Sequence, residues 1–298
     1  MRKSLRILTA LAGALIIMSL VTLSGCGKKE APVPIGPAKI DFATSYDQAL
    51  KLAQEKNQKI LIDFYTDWCT WCKKLDTETY VDTMVVAMSG NIVFTKINAE
   101  VDTATARKYS VKAYPTIVLL NSDGTEIDRI AGFLPGPDFV ETVNNYLNDI
   151  QTLNYYLRMA AAGETTELNF RIGEKYQYRG MVAEAENYYG KVIAADPDNK
   201  EGRSDSAMMA LAEMKMQAKM YEEAIARFAE VMKKFAGQSI ASDAEIMTAI
   251  VYREKGDTAM AIKSFEGFIK NNPASPDTAY AQKQILKLKN PAPVEGGK

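Results

Sequence analysis

The sequence predicts an α/β domain followed by an all-α domain of helical repeats. Between residues 40 and 150, short apolar runs typical of strands alternate with amphipathic helical segments, and the last two strands are joined by a tight turn. From about residue 166 the strand signals end, and small and aromatic residues recur at a regular spacing. A chain of 298 residues is long enough for two such domains.

Hydrophobic periodicity predicts the elements of the α/β part in order. A helix over 45–56 carries its apolar residues on one face, and the apolar run over 59–65 reads as a buried strand. The next segment predicts one helix that begins near the two cysteines and continues to Met88. The remaining elements are a strand over 91–98, a helix over 104–109, strands over 116–120 and 126–130, and a helix over 138–147.

The first 26 residues have the pattern of an export signal. A basic start precedes an apolar stretch over 7–23, and Leu23-Ser24-Gly25-Cys26 resembles a bacterial lipobox. This resemblance implies acylation of Cys26 and anchoring on the extracytoplasmic side of a bacterial membrane, with Gly27 favouring the outer membrane. The alternative is an uncleaved transmembrane anchor, for which the apolar run is short.

Changes in composition predict the domain boundaries. A signal peptide over 1–25 is followed by the lipidated cysteine and a proline-rich flexible linker over 26–39. The α/β domain then extends over 40–150, the helical-repeat domain over 151–289, and a disordered tail over 290–298.

The chain contains no histidine and three cysteines, which excludes several kinds of site. Ser-His-Asp triads, Cys-His nucleophiles and HExxH metal sites all require an imidazole. Three cysteines without histidine cannot complete a tetrahedral zinc site, so no metal is expected. The net charge of −1 gives no indication of nucleic-acid binding.

Cys69 and Cys72 form a CxxC motif directly after the strand over 59–65. Cys69 is expected at a helix start, where unpaired N–H groups and the helix dipole lower the pKa of a thiol, so it is the predicted nucleophile. Cys72 lies one turn further on and is the predicted resolving thiol. The alternative is an inert disulfide, although so small a loop would constrain little of the unfolded chain.

Four motifs in this part of the chain resemble the thioredoxin family. They are Leu61–Tyr65, Trp68–Lys73, Val111–Thr116 and Gly132, and the cysteine segment is most similar to extracytoplasmic modules of the DsbD C-terminal type. The resemblance implies a thioredoxin fold, a central mixed sheet flanked by helices, and thiol–disulfide exchange with no cofactor besides the Cys69–Cys72 disulfide. Thr-Trp between the cysteines matches neither cytoplasmic reductases nor strong oxidants, so it implies no redox potential.

The same resemblance implies roles for the neighbouring residues. Asp63 matches the family's buried aspartate, which helps to move the proton of the resolving thiol, and Lys96 matches the lysine near it; burial would raise the pKa of Asp63. Pro115 matches the cis-proline beside the active site. The substrate-contacting residues would be Trp68, Trp71 and Tyr114. The residues alone leave open a solvent-facing Asp63, an exposed Lys96 and a core role for Trp71.

The C-terminal half resembles the tetratricopeptide family, because small and aromatic residues recur at equal offsets. The three copies contain Gly173, Ala185 and Tyr189; then Ala212, Ala224 and Phe228; then Ala249, Ala261 and Phe265. The resemblance implies stacked helical hairpins whose concave groove recruits a protein partner. A helix over 153–162 would join the domains and one over 275–289 would cap the stack. The alternative is that these helices only stabilise or space the chain.

Two functional hypotheses follow. The first is a lipid-anchored extracytoplasmic thiol–disulfide oxidoreductase, for which the reduction of protein disulfides is the favoured direction. A membrane donor would supply its electrons, and its repeats would recruit a protein partner. The second is a scaffold or assembly lipoprotein whose CxxC domain is a redox-sensitive adaptor. Delivery of copper or haem is a weaker third hypothesis, because two thiols could hold Cu(I) but no histidine supports them.

Overall fold

The computed structural model describes residues 39–290, in which a four-stranded mixed sheet precedes a series of helices. The strands are β1 (Lys59–Tyr65), β2 (Ile92–Asn98), β3 (Thr116–Leu120) and β4 (Glu126–Ala131), and their order in the sheet is β2-β1-β3-β4. β1 pairs in parallel with β2 and antiparallel with β3, which pairs antiparallel with β4. The predicted signal peptide, Cys26, all but the last residue of the linker and the tail from residue 291 lie outside the described residues.

Each face of the sheet carries its own core because successive strand residues point to opposite faces. On one face Ile60, Ile62 and Phe64 pack with α1 (Tyr46–Lys56) and α4 (Thr103–Lys108). On the other face Leu61 packs with residues of α3 (Thr83–Met88) and α5 (Gly136–Leu147). This arrangement confirms the predicted fold class, a central mixed sheet flanked by helices.

The single helix predicted from the cysteines to Met88 is wrong, because the segment is broken. It consists of α2 (Thr70–Lys74), a π-helical turn (Leu75–Thr79) and, after a turn, α3. The side chain of Asp82 accepts a hydrogen bond from the amide of Met84 at 2.8 Å and thereby starts a new helix. Leu75 and Tyr80 are both buried, and the extra residue of a π turn rotates the chain so that both face the core.

Eight helices follow α5 in the described part of the chain. They are α6 (Leu153–Ala162), α7 (Thr166–Tyr178), α8 (Val182–Ala195), α9 (Ser204–Gln217), α10 (Tyr221–Lys234), α11 (Ser239–Lys255), α12 (Thr258–Asn271) and α13 (Thr278–Lys289). α7 to α12 form three hairpins. In the first, a Cβ on Gly173 would lie 2.8 Å from the Tyr189 ring, so only glycine permits this approach. The predicted helical-repeat architecture is confirmed.

A buried polar network joins the first hairpin to the sheet. Asp128 on β4 is fully buried, and its Oδ1 lies 3.0 Å from Lys175 Nζ and 3.2 Å from Arg179 Nη2 on or just after α7. Its Oδ2 accepts a 2.8 Å hydrogen bond from the amide of Leu153, at the start of α6. The ends of α6 and α7 are therefore fixed directly on the sheet edge.

No helix among residues 39–290 is both long enough and apolar enough to cross a membrane.

Candidate functional site

The two cysteines of the CxxC motif form a disulfide at the start of α2. Their Cα atoms are 5.3 Å apart, and Cys69 is the residue that caps the helix. The Cys69 sulfur accepts a 3.1 Å hydrogen bond from the amide of Cys72. In the reduced protein the same amide and the helix dipole stabilise a thiolate at Cys69.

Solvent exposure hardly distinguishes the two sulfurs in this oxidised form. Cys69 is 4% exposed and Cys72 is 2% exposed. The difference between them is their place in the helix, since Cys69 precedes the first turn and Cys72 lies inside it. Position at the helix start therefore supports Cys69 as the attacking thiol more strongly than accessibility does.

Exposed aromatic side chains form a rim around the disulfide. Trp68 and Trp71 are 65% and 56% exposed, so the alternative core role of Trp71 does not fit the structure. Trp68 donates a 2.8 Å hydrogen bond to Glu100 and lies edge-on to Tyr114 at 5.9 Å. Trp71 packs against Phe133 at 5.8 Å. Such a rim offers large rigid apolar contacts beside the cysteines.

The loop before β3 presents free backbone groups next to this rim. The Tyr114–Pro115 peptide bond is cis, and the carbonyl of Pro115 accepts a 2.9 Å hydrogen bond from the amide of Gly132. Gly132 has a φ of 91°, a conformation that favours glycine. Within residues 39–290 the amide and carbonyl of Tyr114 form no backbone hydrogen bond, so both are available to an extended peptide.

A buried carboxylate lies in β1, which leads into the CxxC segment. Asp63 is fully buried, which excludes the solvent-facing alternative, and it pairs across the sheet with Lys96 on β2. Lys96 Nζ lies 3.7 Å from Asp63 Oδ2 and also contacts Asp76 in the π-helical turn. Neither oxygen of Asp63 has a hydrogen-bond partner in the described part of the chain.

Burial raises the pKa of Asp63 from 3.8 to about 7. The ammonium of Lys96 opposes this shift, and the negative charge of Asp76 adds to it. A carboxyl group with a pKa near neutral pH can accept and return a proton under the conditions in which thiols exchange. The strand that leads into the Cys69–Cys72 segment therefore holds a carboxyl group with a pKa near neutral pH.

Sequence reasoning missed Asp76 and Tyr80. Asp76 follows Cys72 by four residues on a helical segment, a spacing that could have indicated it. Tyr80 is buried, and its hydroxyl interacts electrostatically with the Asp63 carboxyl without completing a hydrogen bond. Burial raises the pKa of Tyr80, with the Asp63 charge adding to the effect. No local sequence signal points to Tyr80, because its position beside Asp63 depends on the break between the π-helical turn and α3.

Residues 39–290 contain no group of three or more cysteine or carboxylate side chains arranged to hold a metal ion.

Two family models match the chain. One, described as a thioredoxin-like domain, matches residues 46–147, and the other, described as an outer membrane lipoprotein, matches residues 202–282. The thiol:disulfide interchange protein DsbD of Pseudoalteromonas atlantica is 32% identical over 108 residues, which cover 34% of this chain and 18% of that protein. The chloroplastic thioredoxin Y2 of Arabidopsis thaliana is 32% identical over 117 residues, 39% of this chain and 66% of that protein.

Solved structures that are similar to part of this chain have low TM-scores. The structure titled DsbH oxidoreductase is 19% identical with a TM-score of 0.36, covering 40% of this chain and 92% of that one. The oxidised DsbD C-terminal domain of Neisseria meningitidis is 21% identical with a TM-score of 0.31, covering 36% and 99%. The chain matches only about a fifth of the length of the DsbD proteins. The family matches thus identify residues 46–147 as a thioredoxin-like domain and residues 202–282 as similar to an outer membrane lipoprotein family.

Proposed function

We propose that the protein is a lipid-anchored, extracytoplasmic thiol–disulfide oxidoreductase that reduces disulfides in other proteins. The observation that carries the proposal is the Cys69–Cys72 pair at a helix start, under an exposed aromatic rim. The family match to a thioredoxin-like domain and the similarity to DsbD proteins support the same chemistry.

The exchange takes place in two steps. In the reduced protein, the Cys69 thiolate attacks one sulfur of a substrate disulfide, forms a mixed disulfide and displaces the other sulfur as a thiolate. The Cys72 thiolate then attacks the Cys69 sulfur, which releases the second substrate thiolate and closes the Cys69–Cys72 disulfide. Two electrons pass to the substrate, and Asp63 accepts the proton of the Cys72 thiol.

Asp63 serves the second step, and the reducing direction is proposed from the match to a thioredoxin-like domain. An acid with a pKa of about 7 is half deprotonated near neutral pH, so it can take the proton that must leave Cys72 before that thiol attacks. Continued reduction requires a donor of two electrons outside the cytoplasm. We propose a membrane dithiol protein as that donor, in keeping with the similarity to DsbD proteins.

The anchor is proposed from Cys26, which lies outside the described residues. The lipobox around it and the match of residues 202–282 to an outer membrane lipoprotein family both support lipid attachment on the extracytoplasmic side. Recruitment of a protein partner by the helical repeats is proposed on the same match.

Cysteine variants test the chemistry. Cys69→Ser should abolish the reduction of insulin disulfides, because the attacking thiolate at the helix start is lost. Cys72→Ser should retain the first step and trap substrates as mixed disulfides on Cys69, visible on non-reducing gels. The matched control is Cys26→Ser, which should reduce insulin at the wild-type rate. Insulin reduction that survives in Cys69→Ser would contradict the proposal.

The second candidate function is a scaffold or assembly lipoprotein. The match of residues 202–282 favours it, since that family is described by its location and not by a reaction. Partners captured equally by the wild type and by a Cys69→Ser/Cys72→Ser double variant, but not after loss of α9–α13, would support this alternative.

A further inference from the structure

The helical region contains a groove with an apolar floor and an acidic rim. It lies between α9 and α11, the first helices of the second and third hairpins, and the start of α13, and its volume is about 580 Å³. The floor residues are Met209, Ile246, Met247 and Ile250. The rim carries Glu213, Asp243 and Asp277. We call this feature the acidic groove.

The three carboxylates of the acidic groove are not paired with cations. Within residues 39–290 none of them forms an ion pair, whereas Glu186, Glu222 and Glu266 on neighbouring helices each lie within 2.9 Å of a lysine Nζ. Burial raises the pKa of Glu213, and burial together with the charge of Asp277 raises the pKa of Asp243. The negative charge of this partly buried groove is therefore not compensated by an ion pair within residues 39–290.

The arginine of α11 does not pair with these carboxylates. Arg253 donates hydrogen bonds from Nη1 to the hydroxyl of Tyr280 and to Gln284 Oε1, both at 3.0 Å. Its Nη2 lies 3.4 Å from Glu254, which is outside the groove. Arg253 is thus held beside the groove by partners other than the rim carboxylates.

We propose that the acidic groove binds a cationic amphipathic segment of a partner polypeptide. The apolar floor fits large aliphatic side chains, and the rim fits lysine or arginine, whose long stems lie on apolar surface while their charges meet carboxylates. The volume of the acidic groove falls in the range of grooves that bind part of a ligand chain. Helices in other proteins dock in apolar grooves through side chains that lie one turn apart.

This inference rests on the proposed recruiting role of the repeats and gives it a chemistry. Because Asp128 fixes the ends of α6 and α7 on the sheet, a segment bound to the repeats stays attached to the domain that carries Cys69. Tethering of this kind raises the effective concentration of the partner's disulfides near the active site. Proteins with cationic amphipathic segments would therefore be the preferred substrates.

Fluorescence anisotropy of labelled peptides with the full chain tests the proposal. The probes are three peptides of about 15 residues, four helical turns, built from Leu and Lys, from Ser and Lys, and from Leu and Glu in the same order. The Leu/Lys peptide should bind at least about tenfold more tightly than either of the others, because it alone satisfies both floor and rim. Equal binding of the Ser/Lys peptide would overturn the proposal, since charge alone would then suffice.

Isosteric variants locate the site. Glu213→Gln, Asp243→Asn and Asp277→Asn combined should weaken Leu/Lys binding by about tenfold. The matched control combines Asp41→Asn, Glu201→Gln and Glu230→Gln, exposed positions outside the groove with the same total change in charge, and it should bind as the wild type does. Equal losses in both variants would overturn the site. Tighter peptide binding after deletion of residues 27–38 would also overturn it, because the chain's own linker would then be the occupant.

Insulin reduction by the same preparations separates this inference from the proposed function. The groove variant should reduce insulin at the wild-type rate. If the wild type binds the peptide but does not reduce insulin, only the proposed chemistry is refuted. Absent peptide binding with intact insulin reduction would refute the groove only.

Discussion

Asp63 and Asp128 are two fully buried aspartates of the same sheet whose surroundings differ. Asp128 on β4 has Lys175 at 3.0 Å and Arg179 at 3.2 Å, and its oxygens also accept the amides of Arg129 and Leu153. Asp63 on β1 has no hydrogen-bond partner among residues 39–290, and its one cation, Lys96, lies 3.7 Å away.

The difference separates a structural carboxylate from a reactive one. A buried carboxylate that is surrounded by cations and amides holds together the elements that supply its partners. A buried carboxyl with too few partners has a raised pKa, because burial disfavours its charged form. The same residue type therefore joins the domains at β4 and, in the proposed mechanism, exchanges a proton on β1.

At pH 8 the same substitution should change stability with opposite sign at the two sites: a loss, which is the larger effect, at Asp128 and a gain at Asp63. Asp128→Asn leaves Lys175 and Arg179 without their shared anion, so the free energy of unfolding should fall by about 3–5 kcal/mol. Denaturant unfolding at pH 8 measures it. A loss below about 1 kcal/mol would show that the network contributes little to joining the domains.

Asp63→Asn should remove a pH dependence from the stability of the oxidised protein. The pKa of Asp63 is raised on folding, so the folded state holds a proton that the unfolded state has lost between pH 4 and 7. The wild type should therefore lose up to about 4 kcal/mol of unfolding free energy as pH rises through this window. In Asp63→Asn the loss should disappear, and at pH 8 the variant should be more stable than the wild type. Identical pH profiles would contradict the raised pKa.

Asp63→Asn should also slow the step that depends on Cys72. Without a proton acceptor, release of substrate from the mixed disulfide should slow by about 100-fold at pH 7, a typical loss for a general base. Attack by Cys69 should change little. Rapid-mixing kinetics with a disulfide peptide separates the two steps, and Asp128→Asn measured under folding conditions is the control that should keep the wild-type rate.

Lys96→Met and Asp76→Asn should move the pH profile of the release step in opposite directions. Lys96 lowers the pKa of Asp63 and Asp76 raises it. Lys96→Met should therefore shift the midpoint upward by on the order of one pH unit, and Asp76→Asn should shift it downward by less. Shifts of the same sign would show that Lys96 and Asp76 act on Asp63 as one ion pair and not as separate charges.

Asp63 and Asp128 also differ in whether the sequence predicts their roles. Asp63 was predictable from the sequence, because it lies in an apolar strand and belongs to a motif that stands at a fixed distance from Cys69. Asp128 was not, because its partner Lys175 is 47 residues away and only the docking of α7 brings them together. The helix break before α3 was missed for a local reason, since the Asp82 cap competes with helix continuation that the hydrophobic pattern alone favours.

The reduction potential of the Cys69–Cys72 pair tests the central claim most directly, when measured by equilibration with glutathione at pH 7 and combined with the redox state of the pair in cells. The proposed reductase should have a potential of about −270 mV and should be reduced in cells while its membrane donor is present. A potential of about −120 mV, with the pair oxidised in cells, would make the protein an oxidant and contradict the proposed direction.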